Sequence, residues 1–371
     1  MTQMPIRSRL LQQLDQQIAA AGGQLESACL RAQRVMLLAR HGHLNVAREH
    51  LTQLHQLAFQ HPNVKLGAWL HLAEGLMSYY TDFGVAARDK VQRAQAMARA
   101  ADQRDVDVLA TAWLAHLAYV GHDLQGLVEQ AKACLAIAVP EDHQALARLS
   151  IALGLALHFA NRWELAQAWY SLARREASAD GDDATTSALM YNMAEMRTAQ
   201  MRHESLAYPT RPRPDLLLGA DSIRHYDAAV GASAMSELTP LLRAQVLVMQ
   251  GEYESASQLY EQYLPLAMGR GLSRLGGNLL ADLAWCRVNL GQPEQALAHA
   301  RDAEMELDPR SDVDDRAATH SRLAQVYEAL GEDLMSLTHA QTAQREWAEF
   351  AAQQAHWAER LDAAGLGRPP L

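Results

Sequence analysis

The chain has 371 residues, 49% of them hydrophobic and 20% charged, with a formal net charge of -10. That length exceeds one compact core, and that composition excludes a disordered chain. The acidic balance excludes nonspecific nucleic-acid binding by the bulk surface, because a duplex would be repelled. Good helix formers dominate, Val and Ile are scarce and Phe occurs four times, which argues against a large sheet. Only Lys65, Lys90 and Lys132 are lysines; the other basic residues are Arg, mainly a compositional bias. Cys29, Cys134 and Cys286 form an odd, sparse set that suits reduced thiols. The start, MTQMPIRSRLLQQLDQQ, lacks a signal peptide's apolar run. No run approaches the ~18 apolar residues of a membrane span. The expected location is the cytoplasm.

In chain order, the first predicted element is an amphipathic helix over 6–20, with Leu10, Leu14 and Ile18 on one face and Gly22-Gly23 closing it. A hairpin turn then recurs. It reads RHGHLNVAREHL at 40–51, ANRWELAQAWYSLA at 160–173 and QGEYESASQLYEQY at 250–263. It returns as LGQPEQALAHARDA at 290–303 and LGEDLMSLTHAQTA at 330–343. The turn residues are Gly42, Asp82, Gly121, Asn161, Met201, Gly251, Gly291 and Gly331, at intervals of 40, 39, 40, 40, 50, 40 and 40 residues. Met201 is placed partly by the period itself.

Two helices that cross closely need small residues where they meet. Seven residues before the turns stand Val35, Gly75, Leu114, Gly154, Ala194, Ala244, Ala284 and Ala324; five residues after stand Ala47, Ala87, Gly126, Ala166, Leu206, Ala256, Ala296 and Ser336. Leu114 and Leu206 fit poorly. The ten-residue lengthening coincides with HESLAYPTRPRPD at 203–215, whose Pro209, Pro212 and Pro214 cannot all continue a helix. It reads as an insertion before or within the second helix of the fifth hairpin. It serves as a surface loop, or else as a flap or docking segment. A last long helix is predicted over 333–364, stopped at Gly365 with Pro369-Pro370 beyond.

This pattern resembles the tetratricopeptide repeat (TPR) family, in a long-period, roughly forty-residue bacterial type, over about 29–343. MELDPRS, with Pro309, is similar to the family's closing segment. The resemblance implies an all-α, right-handed α-solenoid of about eight TPR-like helical hairpins with N- and C-terminal capping helices. The expected division is a cap at 1–27, the array at 28–343 and the end of the C-terminal cap with a tail at 344–371.

No catalytic motif accompanies the repeat. MGRGLSRLGG at 268–277 lacks a phosphate loop's Lys-Ser/Thr and reads as an inter-repeat turn after a helix ending near Met268. No GxSxG elbow and no CxxC pair occur. His41, His43, His50 and His55 share one hairpin without the spacing of a helical zinc pair. The expectation is no enzyme, no metal and no cofactor.

The resemblance implies a concave surface lined by the first helix of each hairpin. Transferred to this sequence, the inward positions hold Trp69 and Tyr79 in the second hairpin, Tyr119 in the third, and Arg148 and His158 in the fourth. They hold Tyr191, Asn192 and Glu195 in the fifth, Gln245 in the sixth, and Asp282, Trp285 and Asn289 in the seventh. Aromatics with scattered polar groups suit a peptide or an amphipathic helix, although such aromatics also serve as inter-repeat core. The family's carboxylate clamp is excluded, since Leu72, Thr111 and Ile151 stand at its positions. The leading expectation is a protein- or peptide-binding scaffold in bacterial signalling or regulation, acting without nucleic acid or membrane. The alternative is a small-molecule sensor with an enclosed pocket, Arg148 and nearby aromatics serving as contacts. The oligomeric state, a homodimer among the options, stays open.

Overall fold

The computed structural model describes residues 6–207, 214–234, 236–272, 276–309 and 311–370. Among these, 17 α-helices occur and no strand. The chain is an all-α array of TPR-like hairpins, as the repeat requires. After α1 (Arg9–Ala20) come α2 (Gln24–Arg40) with α3 (Leu44–Gln60), α4 (Val64–Asp82) with α5 (Arg88–Ala100), and α6 (Arg104–Val120) with α7 (Leu124–Ile137). Next come α8 (His143–Phe159) with α9 (Trp163–Asp180), α10 (Asp183–Ala207) with α11 (Pro214–Val230), and α12 (Leu238–Gln250) with α13 (Tyr253–Ala267). The series ends with α14 (Gly276–Asn289) and α15 (Pro293–Met305), then α16 (Val313–Ala329) and α17 (Asp333–Ala363).

The turns explain where helices stop. Gly42, Gly251, Gly291 and Gly331 have φ of 84°, 81°, 70° and 77°, and Asn161 has 57°. That left-handed backbone ends a helix, and Gly and Asn tolerate it best. In the second and third hairpins the left-handed residue is Phe83 or His122, one place after Asp82 or Gly121. Met201 is no turn at all: it lies inside α10, which runs on to Ala207. Ala194 and Leu206, assigned from Met201, therefore lose their status as crossing positions. The connection falls within 208–213, outside the described residues, as do Pro209 and Pro212; Pro214 opens α11. Opening a helix suits a residue without an N–H.

Most of the other crossing positions pack as small residues should, although Ala324 and Ser336 of the last hairpin are only half-buried and Leu114 is bulky. Ala47, Ala166, Ala256 and Ala296 have no exposed surface, like Ala244 and Ala284. A Cβ on Gly75 would stand 2.7 Å from Val91 Cγ2, and one on Gly154 would stand 2.5 Å from Tyr170 Cε1. Leucine at Ala166 or Ala296 is therefore expected to cost about 1–3 kcal/mol through overpacking. Urea unfolding of Ala166→Leu and Ala296→Leu measures it; a midpoint equal to the parent's would refute the helix-crossing alignment.

The chain divides into two compact units: Met1–Met190 with His225–Met235 and Trp357–Leu371, and Tyr191–Arg224 with Ser236–His356. In the first unit, α1 buries Leu10, Leu11 and Leu14 against Leu37 and Ala184. Leu10 N–H donates to Gly181 O at 3.2 Å. Helix α1 thereby joins the first hairpin to the start of α10. The C-terminal segment also belongs to this unit. Trp357 packs edge-on to Phe159 at 4.9 Å, and Trp169 Nε1 donates to Leu366 O at 3.0 Å. In the second unit, Ala281, Ala284, Ala300, Ala303, Leu323, Val326 and Tyr327 form one core between the last two hairpins.

Candidate functional site

The twelve residues expected to face inward lie on first helices: Trp69 and Tyr79 on α4, Tyr119 on α6, Arg148 and His158 on α8, and Tyr191, Asn192 and Glu195 on α10. Gln245 is on α12, and Asp282, Trp285 and Asn289 are on α14. Their exposure separates them. Trp69, Tyr79, Arg148, His158 and Asp282 are buried. Tyr119, Tyr191, Asn192, Glu195, Gln245 and Trp285 are half-buried, and Asn289 is exposed, its amide donating to Trp285 O at 2.8 Å.

The first unit gathers a polar-aromatic cluster from four first helices and the start of a fifth. Arg148 is the one Arg or Lys of α8 and lies over the Trp113 ring at 4.0 Å. Its Nη2 donates to Tyr80 Oη at 3.3 Å. Tyr79 packs edge-on to Tyr80 at 5.1 Å and to Trp113 at 5.4 Å, and its hydroxyl is 2.8 Å from His116 Nε2. Burial, then the nearby Arg148 charge, holds His116 well below the usual imidazole range, so the ring is neutral. Its Nδ1 is buried without a hydrogen-bond partner. From the last turn of α2, Arg40 bonds Asp182 and Thr185 at the start of α10. Burial lowers Arg40 to about 10, with Arg148 pushing the same way, so the Arg40 guanidinium is charged at neutral pH.

The remaining residues of that unit go elsewhere. His158 meets Tyr170 Oη at 3.2 Å and Trp163 at 3.9 Å between ring centroids, so it joins the α8–α9 hairpin interior. Tyr119 packs edge-on to Trp357 at 6.1 Å. Leu72, Thr111 and Ile151, at the clamp positions, are all completely buried.

The second unit brings Asp282 and Trp285 together through arginines absent from the sequence-derived set. Asp282 accepts from Arg202 Nε at 2.8 Å and Nη2 at 3.0 Å, and from Arg322 Nε at 2.8 Å. Tyr260 Oη donates to it at 3.4 Å. Burial pushes the Asp282 carboxyl up, but Arg202 and Arg322 hold it below the usual carboxylate range. Arg322 also lies 5.4 Å from the Trp285 ring centroid.

Sequence reasoning missed Arg40, Trp113, His116, Asp182, Arg202 and Arg322. A signal existed for two of them. Asp282 and Arg322 are 40 residues apart, and Arg202 precedes Asp282 by 80. Opposite charges recurring at one repeat position of first helices mark side chains that face each other across neighbouring hairpins. The histidines of the first hairpin diverge: His43 Nε2 is 3.1 Å from Gly231 O and His55 Nε2 is 2.9 Å from Glu74. Among the described residues, no group of three or more His, Cys, Asp or Glu could hold a metal ion, and no helix is long and apolar enough to cross a membrane.

No protein-family model and no curated protein matches the sequence. A solved structure does match: a Rap protein complexed with competence and sporulation factor, at a TM-score of 0.53. The chain shares its fold with that Rap protein. The superposition covers 88% of this chain and 99% of the other at 10% identity, so the likeness is one of fold.

Proposed function

We propose that the chain is a non-enzymatic TPR-family scaffold that binds a protein or peptide along its first helices and serves bacterial signalling in the cytoplasm. The supporting observation is the shared fold with a Rap protein solved in complex with competence and sporulation factor. The chemistry of the first helices agrees with it. Tyr191, Trp285, Asn192 and Gln245 are half-buried, which leaves aromatic and amide surface for a ligand backbone. Capture from the source cell with the wild-type chain beside a Tyr191→Ala/Trp285→Ala variant tests this reading. Partners held by the wild type and lost by a folded variant are expected. Equal capture by both would remove these helices as the binding surface.

A second reading, a small-molecule sensor, draws on one observation. Tyr79, Tyr80, Trp113, His116 and Arg148 are each under about a tenth exposed, so the cluster in the first unit is enclosed. Native mass spectrometry of the purified chain separates the two. A retained mass of a few hundred daltons would replace the peptide reading, whereas a retained peptide or an empty protein that captures a partner agrees with it.

A further inference from the structure

Arg148 differs from every other buried arginine of the described residues. Arg40 meets Asp182, Arg202 and Arg322 share Asp282, and Arg287 meets Glu261. Arg148 is 4% exposed and meets no carboxylate among the described residues. Its interactions are one hydroxyl, Tyr80 Oη, and one ring face, Trp113. A buried guanidinium without a counter-charge is costly, and neither a phenol nor a cation–π contact restores a missing carboxylate. The neighbours aggravate the deficit. Arg40 is close enough for the two charges to repel, and His116 is neutral with an unpartnered Nδ1. Asp182 is already engaged by Arg40 and Thr185. Burial raises the Asp180 carboxyl, which weakens it as a counter-ion.

We propose that Arg148 is the anchor of a carboxylate-binding site in the first unit, with Tyr79, Tyr80 and Trp113 as its aromatic wall. The unbalanced charge is one guanidinium, which a singly charged carboxylate matches and a phosphate dianion exceeds. A carboxylate also fits the guanidinium fork in its plane while Trp113 holds the face. The carboxylate belongs either to a peptide, at its C-terminus or an acidic side chain, or to a free organic acid. This inference rests on the ligand-binding reading above and names the chemistry recognised there.

Thermal unfolding of the full chain tests it, with benzoate as probe and benzamide, its neutral isostere, as control at matched ionic strength. Benzoate is expected to raise the midpoint and benzamide to leave it unchanged. Arg148→Met should abolish the benzoate response and, by removing an unbalanced buried charge, raise the ligand-free midpoint by roughly 2–4 °C. The exposed Arg93→Met serves as control and should behave as wild type. If Arg148→Met does not fold, Arg148→Lys keeps the charge without the planar fork and should shrink the response. Equal responses to benzoate and benzamide, or a benzoate response undiminished in the folded Arg148 variant, would overturn the proposal. Mixed tetrapeptides with free or amidated C-termini identify the source. Stabilisation by the free acids alone assigns a chain end, by both sets an acidic side chain, and by benzoate alone a small organic acid. Peptides that stabilise wild type and Arg148→Met alike would overturn the carboxylate site and leave the scaffold reading standing. Partner capture that fails while benzoate still acts through Arg148 would do the reverse.

Discussion

Replacing Asp282 with Ala is expected to lower stability by about 3–5 kcal/mol, the cost of stranding buried charge. Its carboxylate is completely buried and is the acid shared by Arg202 and Arg322, themselves 2% and 6% exposed at the side chain. Three hairpins supply these residues, from α10, α14 and α16. Removing the acid strands two guanidiniums and also leaves the Tyr260 hydroxyl without its oxygen. The predicted loss comes mainly from that desolvated charge, so removing all three charges together should be far milder. Urea unfolding of Asp282→Ala beside the triple variant Arg202→Met/Asp282→Leu/Arg322→Met separates the effects. A single-variant loss below about 1 kcal/mol would show that water reaches the cluster.

Acidification below pH 6.5 is expected to destabilise the chain before most carboxylates titrate. Burial, then Arg40 and His43, lowers His41 to about 3. Burial, then Arg202, lowers His203 to about 3. His116 lies well below its ordinary range by burial and by Arg148. Burial, then His339, lowers His320 to about 4, and its partial exposure makes it the smallest contributor. In the unfolded chain all four titrate near 6.5. Between that value and about 3–4 the unfolded state binds protons that the folded state refuses, so stability falls as pH falls. Each such proton contributes a slope of about 1.4 kcal/mol per pH unit. Asp227, raised to about 6 by burial, opposes this trend. Its folded form keeps a proton that the unfolded form releases above about 3.8, so it offsets one histidine between pH 6 and 4. Urea midpoints at pH 7.5 and 5.5 check the balance. A large drop is expected, smaller in His203→Gln; equal midpoints would mean that water reaches these rings.

The fold was largely legible in the sequence because packing between hairpins constrains it at fixed intervals. Gly154 and Ala166 are small because Tyr170 and the crossing helix leave no room, and such restrictions recur every repeat. The fifth hairpin was misread for a physical reason. Its first helix is 25 residues long, so a period counted from Asn161 lands inside α10 at Met201. Arg202, two repeats before Asp282, carried the correct phase. The site was less legible. Position on a first helix followed from the repeat, but the choice between inner surface and interior did not. His158 turns toward its own hairpin through Tyr170, while Arg148 joins Trp113 and Tyr80 from other hairpins. Contacts between hairpins depend on side-chain reach, which one repeat's pattern does not encode. Arg40, in the last turn of α2, entered the cluster because the first unit bridges α2 to the start of α10, a contact 142 residues apart in sequence.

The most direct measurement is amide hydrogen exchange on the full chain, with and without the partner captured from the source cell. Protection gained along the first helices α4, α6, α8, α10 and α14, with their partners α5, α7, α9 and α15 unchanged, is the expected result. Protection confined to the second helices or to residues 208–215 would contradict a ligand held by the first helices.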